Sequence, residues 1–448
     1  MTRRTKAFAV GITIVAVALL GSVFGVTRGS TDVAVSNTLS NQVVSAAAAG
    51  GLDRASGTAV EQSIAKLHAH LVQVPKDYPS WASLGLAYVQ QAKITVDSQY
   101  YPMAQDALDT SLRINDTDNF LAYAGRSALA SARHDFAAAE TEARKGLTLN
   151  ASSAVLYGAL GDALVQLGHY DAADEAIAKM ASLRPDTSSY ARQSYLRELR
   201  GDIPAATTLM QQALALAPTP SDQAFALFYL GELEFNSGDS NAALSHYRQA
   251  LTASPNDLQA LAGKAKAEAA LGQDLTAIDD YTTVVARAPE PGLVLEFGEF
   301  LESLGRTADA RAQYAVVEAT QKLFMANGVA PDATPTMFYA DHGQPAEALQ
   351  NGERGIKTRP FYVMQDAYAW ALHMNGRDRE AMTILQTALD LGERSALLHY
   401  HAGMIKLALG ERDAARRELS LALTLNPHFN PLAAAKATKA LATLSANP

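Results

Sequence analysis

Eight regularly spaced glycines in this 448-residue chain are each followed, five residues on, by an alanine. The pairs are Gly168/Ala173, Gly201/Ala206, Gly238/Ala243, Gly272/Ala277, Gly305/Ala310, Gly343/Ala348, Gly376/Ala381 and Gly410/Ala415. Successive glycines stand 33, 37, 34, 33, 38, 33 and 34 residues apart. A period near 34 constrains the fold more than any other feature, because a unit that small cannot bury its apolar face alone and must stack on its neighbours. Length alone suggests two or three domains, but a stack of repeats grows without one central core.

The unit "LGHYDAADEAIAKMASLRP" (167–185) shows what each offset does. Tyr157, Leu160, Gly161 and Leu164 fall on one face of a first helix. Gly168 ends that helix, where positive φ is favoured. Tyr170, Ala173, Ile177 and Met180 form the buried face of a second helix, with Ala173 small so that the two can approach. Pro185 closes the unit, since it cannot continue a helix. Apolar residues make up 48% of the chain but aromatics only 7%, and the balance is largely Ala and Leu, which favours close helix packing. The expected fold class is all-α, a stack of helical hairpins.

At these residues the chain resembles the tetratricopeptide repeat (TPR) family, whose pattern runs W-x2-L-G-x2-Y, then A, an aromatic and P. "WASLGLAY" carries Trp81, Leu84, Gly85 and Tyr88 in register, and "FYLGELEFNSGDSNAALSHYRQALTASP" (228–255) carries Gly231, Gly238, Ala243, Tyr247, Ala250 and Pro255. Six of the eight glycines have proline seventeen residues later; Lys322 and Glu393 stand there in the other two. The resemblance implies a solenoid of about ten repeats over 58–430, the first incomplete, with 431–448 as a capping helix. Three segments depart from the period: 90–102, 219–222 and 322–336.

The N-terminus speaks to location. Residues 1–6 form a short basic tail with Arg3, Arg4 and Lys6, and residues 7–26 are twenty residues without a charge. At 1.5 Å per residue such a helix spans ~30 Å, the thickness of a bilayer core. Basic residues before the span predict a cytoplasmic N-terminus with the repeats outside. A secretory signal cleaved after Val23-Phe24-Gly25 is the alternative. Residues 27–57, small and polar, read as a flexible linker. Four of the 37 basic residues lie in the first 28, so 33 face all 46 acidic residues beyond, a net charge of −13. That balance argues against nucleic acid, which needs a basic face. There is no cysteine, which removes disulfides, thiolate metal sites and Cys nucleophiles.

No enzymatic motif is found: no G-x-S-x-G, H-E-x-x-H, P-loop or G-x-G-x-x-G. His68/His70 and His399/His401 are spaced i, i+2, on opposite sides of a helix, and are not expected to chelate. No catalytic residue, metal or cofactor is expected. The expected chemistry is binding of a protein or peptide in the concave groove. The resemblance implies ligand contacts at helix-A positions 2, 5, 9, 12 and 13, which with Gly238 as position 15 are Phe225, Phe228, Glu232, Phe235 and Asn236. Equivalent positions elsewhere give Tyr195, Glu299, Glu302, Trp370 and Tyr400. The Lys/Asn carboxylate clamp at positions 5 and 9 is absent, since Gly158/Asp162, Phe228/Glu232 and Leu295/Glu299 stand there. The leading reading is a non-enzymatic, membrane-tethered TPR scaffold outside the cytoplasm. Residues 64–89 resemble the opening repeat of the membrane-anchored TPR subunit of bacterial cytochrome c haem-lyase complexes, which implies apocytochrome presentation as a narrower alternative. An enzyme with an unrecognised site is a third.

Overall fold

A computed structural model describes residues 57–446, except 96, 327, 328 and 331. The expected basic tail, the membrane segment 7–26 and the linker lie outside the described residues, save that Gly57 already opens the first helix. Among the described residues there are 22 helices and no strand. No described helix is long and apolar enough to cross a membrane. Helix Gly57–Gln73 stands alone; ten helical hairpins follow, and Ala433–Ala446 closes the stack.

The hairpin is built as the offsets demand. All eight periodic glycines have φ between +71° and +88°. At Gly168 the reversal is fixed by His169 N–H donating to Leu164 O at 2.8 Å and Gly168 N–H donating to Val165 O at 3.0 Å, a left-handed helix end that glycine adopts without strain. After two of the eight glycines an aspartate caps the next helix: Asp202 accepts from Ala205 N and Asp239 from Ala242 N. Between the two helices of the 154–183 hairpin, Ala173, Ile177 and Met180 are buried.

Close packing of helices is tightest where one side chain wedges between two glycines. Tyr247, fully buried, sits between Gly231 and Gly263, and a Cβ on either glycine would come within 2.5 Å of its ring. The aromatic of one second helix therefore locks its own first helix and the next repeat's first helix together. An alanine at either position would gain helix propensity but force the ring to move, and overpacking of that kind costs about 1–3 kcal/mol.

The stack winds into a superhelix whose second turn lands on its first. Hydrogen bonds join residues 191 to 196 positions apart: His134 to Ala330 O, Arg359 to Gln166, Tyr362 N–H to the Tyr170 hydroxyl, and Asn426 to Phe235 O. One turn thus takes between five and six repeats. The geometry is regular. The glycine reversal inside an early hairpin meets the junction between hairpins one turn later. Gly168 faces Pro360, Gly201 faces Gly392, and Gly238 faces Leu425 and Asn426. At Gly201 a Cβ would lie 2.3 Å from Gly392 O, so glycine is needed there for approach as well as for φ. Gly272, Gly305, Gly343, Gly376 and Gly410 have nothing near the place of a Cβ. His134, at φ 60°, takes the glycine's place in an earlier repeat.

The 322–336 departure belongs to this seam. Helix Thr307–Ala326 runs to 20 residues and the next, Ala333–Asp341, to only nine. The segment between them brings Val329 against Tyr101 in the first hairpin. Beside it, Arg359 is 3% exposed; its guanidinium donates to Gln166 Oε1 at 2.5 Å, lies 3.8 Å from buried Asp332, and covers the rings of Phe136 and Phe361 at 5.4 and 4.3 Å.

Removing one partner of a buried ion pair costs about 3–5 kcal/mol. Arg359→Met leaves Asp332 without its cation and is expected to loosen the seam. Small-angle scattering should show a larger radius of gyration, and amide exchange should quicken at 332–334 and 166–170. Unchanged scattering and exchange would mean that the turns hold together without this arginine.

Candidate functional site

Two cavities lie among the helices of the later hairpins, lined largely by first-helix and junction residues. The larger, about 580 Å³, is walled by Phe235, Phe300 and Phe429, with Lys266, Glu296, Glu299 and Asn430 supplying polar groups. The smaller, about 190 Å³, lies at the seam between Glu198 and Asn236 on one turn and Tyr362, Glu393 and Arg394 on the next. Phe429 lines both.

The polar groups of the larger cavity are mutually bound. Glu232 accepts from the Tyr247 hydroxyl at 2.5 Å and from Lys266 Nζ at 2.8 and 2.9 Å. Lys266 Nζ also lies 4.6 Å over the Phe235 ring, a cation–π contact. Burial works against the Lys266 ammonium, but the charges of Glu232 and Glu296 outweigh it and raise its pKa. Burial raises the Glu296 carboxyl, although Lys266 and the Tyr281 hydroxyl, which donates to it, oppose the shift. Glu299 accepts from Asn430 Nδ2, 131 residues away in sequence, at 2.7 Å, with His342 3.7 Å away.

The smaller cavity is less well paired. Glu198 keeps some accessible surface, yet desolvation of its carboxyl lifts the pKa to about 7, with the Glu232 charge adding and Asn236 opposing. Glu393 is lifted to about 8, first by burial and then by the charge of Glu198. The Tyr362 hydroxyl donates to Glu393 Oε1 at 3.1 Å, while Oε2 is buried with no hydrogen-bond partner. Asn236 Nδ2 reaches Glu198 Oε1 at only 3.4 Å. Tyr195, Tyr170, Asp366 and Arg359 complete the charged and titratable surroundings of this group.

The expected site residues divide between these pockets and the core. Phe235, Asn236 and Glu299 line the cavities, and Glu232 is the partner of a cavity lysine. Phe225 and Phe228 are partly buried and meet Tyr229 edge-on at 4.8 and 5.1 Å. Tyr195 packs partly buried beside Glu198. Glu302 accepts from the Tyr314 hydroxyl at 2.6 Å. Trp370, 3% exposed, donates to Asp341 and stacks on His401; Tyr400 is 1% exposed within the core. At clamp position 9, Asp162 is held bidentate by buried Arg192, at 2.9 and 2.8 Å. His399 binds Glu418 while His401 binds Asp366, so the two point to different neighbours.

Sequence reasoning passed over Glu198, Lys266, Glu296, Tyr362, Glu393, Phe429 and Asn430. Counting from the glycine at 15, Glu198 and Lys266 occupy positions 12 and 9, so extending the count to every repeat finds them. Glu393 announced itself only as the residue standing where a junction proline was expected. Phe429 and Asn430 follow a junction and reach the site only because the superhelix closes.

Family models described as tetratricopeptide repeat match residues 154–187 and 225–257. Photosystem I assembly protein Ycf3 of Acaryochloris marina is 34% identical over 76 residues, 17% of this chain and 46% of that protein. The chain therefore spans less than half the length of this relative. Among solved structures, a tetratricopeptide repeat protein from Parabacteroides merdae is 21% identical, covering 58% of this chain and 99% of its own, with a TM-score of 0.33. Yeast Tom70 is 15% identical, with 92% and 96% covered and a TM-score of 0.35. The human IFIT1 dimer with m7Gppp-AAAA is 13% identical, with 74% and 77% covered and a TM-score of 0.47. None of the three superposes well enough to align one site with another.

Glu198 and Glu393 have folded-state pKa values above the usual 4.5. The stability they contribute is fully present below about pH 4.5 and is lost as pH rises through 7 and 8, because the folded state holds protons that the unfolded state has released. Thermal melts from pH 5 to 8.5 should show a falling midpoint, and Glu198→Gln/Glu393→Gln should flatten that fall. Equal slopes for the two proteins would mean that both carboxyls ionise freely.

Proposed function

We propose that this chain is a non-enzymatic TPR scaffold that holds a protein partner against the inside of its superhelix. The observation that carries the reading is the larger cavity, an aromatic-walled space with a few fixed polar groups, which is the usual composition of a binding site. Aromatic side chains in such a setting dominate interface energetics. Of the proposed contact residues, Phe235 and Glu299 line that space and Asn236 lines the smaller cavity; Phe225, Phe228, Glu232, Tyr195, Glu302, Trp370 and Tyr400 belong to the same proposal through their repeat positions. The basic tail and the uncharged residues 7–26 favour a membrane tether with the repeats outside the cytoplasm.

The 76-residue similarity to an assembly protein favours a second reading, in which the partner is a subunit held during assembly of a larger complex. Apocytochrome presentation is a special case of it, motivated by residues 64–89 alone.

Photo-crosslinking tests the scaffold reading. A photoreactive amino acid in place of Phe429 should capture a partner in the native cell, whereas the same residue in place of Thr208, exposed on a second helix, should not. Identical capture from both positions, or none from Phe429, would count against an internal site. Phe228 also packs on Tyr229 and Tyr247, so Phe228→Ala separates two roles. A groove contact loses about tenfold in binding of the captured partner, ~1.4 kcal/mol, with little change in melting temperature, whereas a sharp fall in melting temperature with normal binding by the folded protein assigns the ring to the core.

A further inference from the structure

We propose that the smaller cavity at the seam receives a lysine or arginine side chain of the partner, held between the carboxylates of Glu198 and Glu393. The inference rests on the scaffold reading above and names the chemistry of what the scaffold holds. Two glutamates from opposite turns face one cavity of about 190 Å³. Among the described residues, no lysine or arginine lies within 4.0 Å of either carboxylate. Arg394 lines the same cavity but joins neither. Glu393 Oε2 is a buried acceptor with no donor, and the contact of Glu198 with Asn236 is long. A buried carboxylate left without a donor is costly, and an incoming ammonium or guanidinium supplies both donors and charge.

The neighbouring space fits the same partner. Phe429 forms the wall shared with the larger cavity, so a residue beside the cation would place an apolar side chain against Phe235 and Phe300. The cation lining that larger cavity, Lys266, is already bound to Glu232, while Glu296 and Glu299 add further negative charge. An acidic segment would meet like charge at Glu198, Glu393, Glu296 and Glu299, which is discrimination by repulsion as well as by fit. The raised pKa values of Glu198 and Glu393 agree with this geometry: burial first, and then neighbouring negative charge, disfavours ionisation of each carboxyl, and an incoming cation would oppose both effects.

Phage display of random twelve-residue peptides on the full chain at pH 7.5 tests the inference. Selected peptides should be enriched in Lys or Arg next to an aromatic or aliphatic residue. The tightest is then synthesised with its basic residue intact and with norleucine in its place. Against Glu198→Gln/Glu393→Gln the basic peptide should bind about tenfold or more weakly, while the norleucine peptide should bind both proteins alike. Calorimetry in buffers of different ionisation enthalpy should show proton release for the basic peptide, as cation binding ionises the pair. Should the double variant melt early, Glu393→Gln alone serves, with a smaller loss expected. Selected peptides without basic residues, equal binding to wild type and variant, or binding without proton release would each overturn this inference and leave the scaffold reading standing. Failure to select any peptide above an uncoated control would overturn both.

Discussion

Contact between successive superhelical turns is the constraint on which the rest of this structure depends. Each hairpin touches its neighbours along the chain, as any stack of repeats does. Here a second set of contacts joins residues 191 to 196 positions apart. Those contacts use the least regular parts of the repeat, the glycine reversals of one turn and the junctions of the next, because both lie at the rims of the stack. A glycine there has two duties: left-handed φ, and no Cβ where a carbonyl from the other turn arrives. Arg359 adds a buried cation that one turn alone could not satisfy, drawing on Gln166 and Phe136 below and Asp332 and Phe361 beside it.

Closure makes the pockets. In a stack of hairpins that did not close on itself such residues would lie apart, whereas here residues 427–431 line the larger cavity together with the helices that begin at 220, 258 and 291. The same closure removes water from Glu198 and Glu393, which in an open groove would be ordinary surface carboxylates. Their raised pKa values are therefore a property of the superhelix and not of either repeat. Binding and closure are linked for the same reason: whatever neutralises the pair also steadies the seam, by the mass-action argument that applies to any ligand of the folded state.

Much of the repeat was legible in the sequence because its physics is local. A glycine at a helix end, an alanine at a helix crossing and a proline past the last turn each act within one hairpin, so the offsets transfer directly into structure. Phe235, Glu232, Asn236 and Glu299 were reached by the same counting. The limits of counting show at Trp370 and Tyr400, which occupy the counted positions yet are packed into the core, because the hairpins around them turn those faces toward neighbouring helices. They show again at Glu393, an apparent blemish in the proline pattern that proves to face a cavity.

By itself, the sequence determined the hairpin, its period and the all-α stack, since each follows from contacts a few residues apart. Tertiary structure alone decided how tightly the stack winds. That depends on small rotations between hairpins, summed over between five and six repeats, and no single offset encodes them. Whether Gly201 faces solvent or a carbonyl, whether Arg359 is exposed or buried, and whether Glu198 meets Glu393 all follow from that sum.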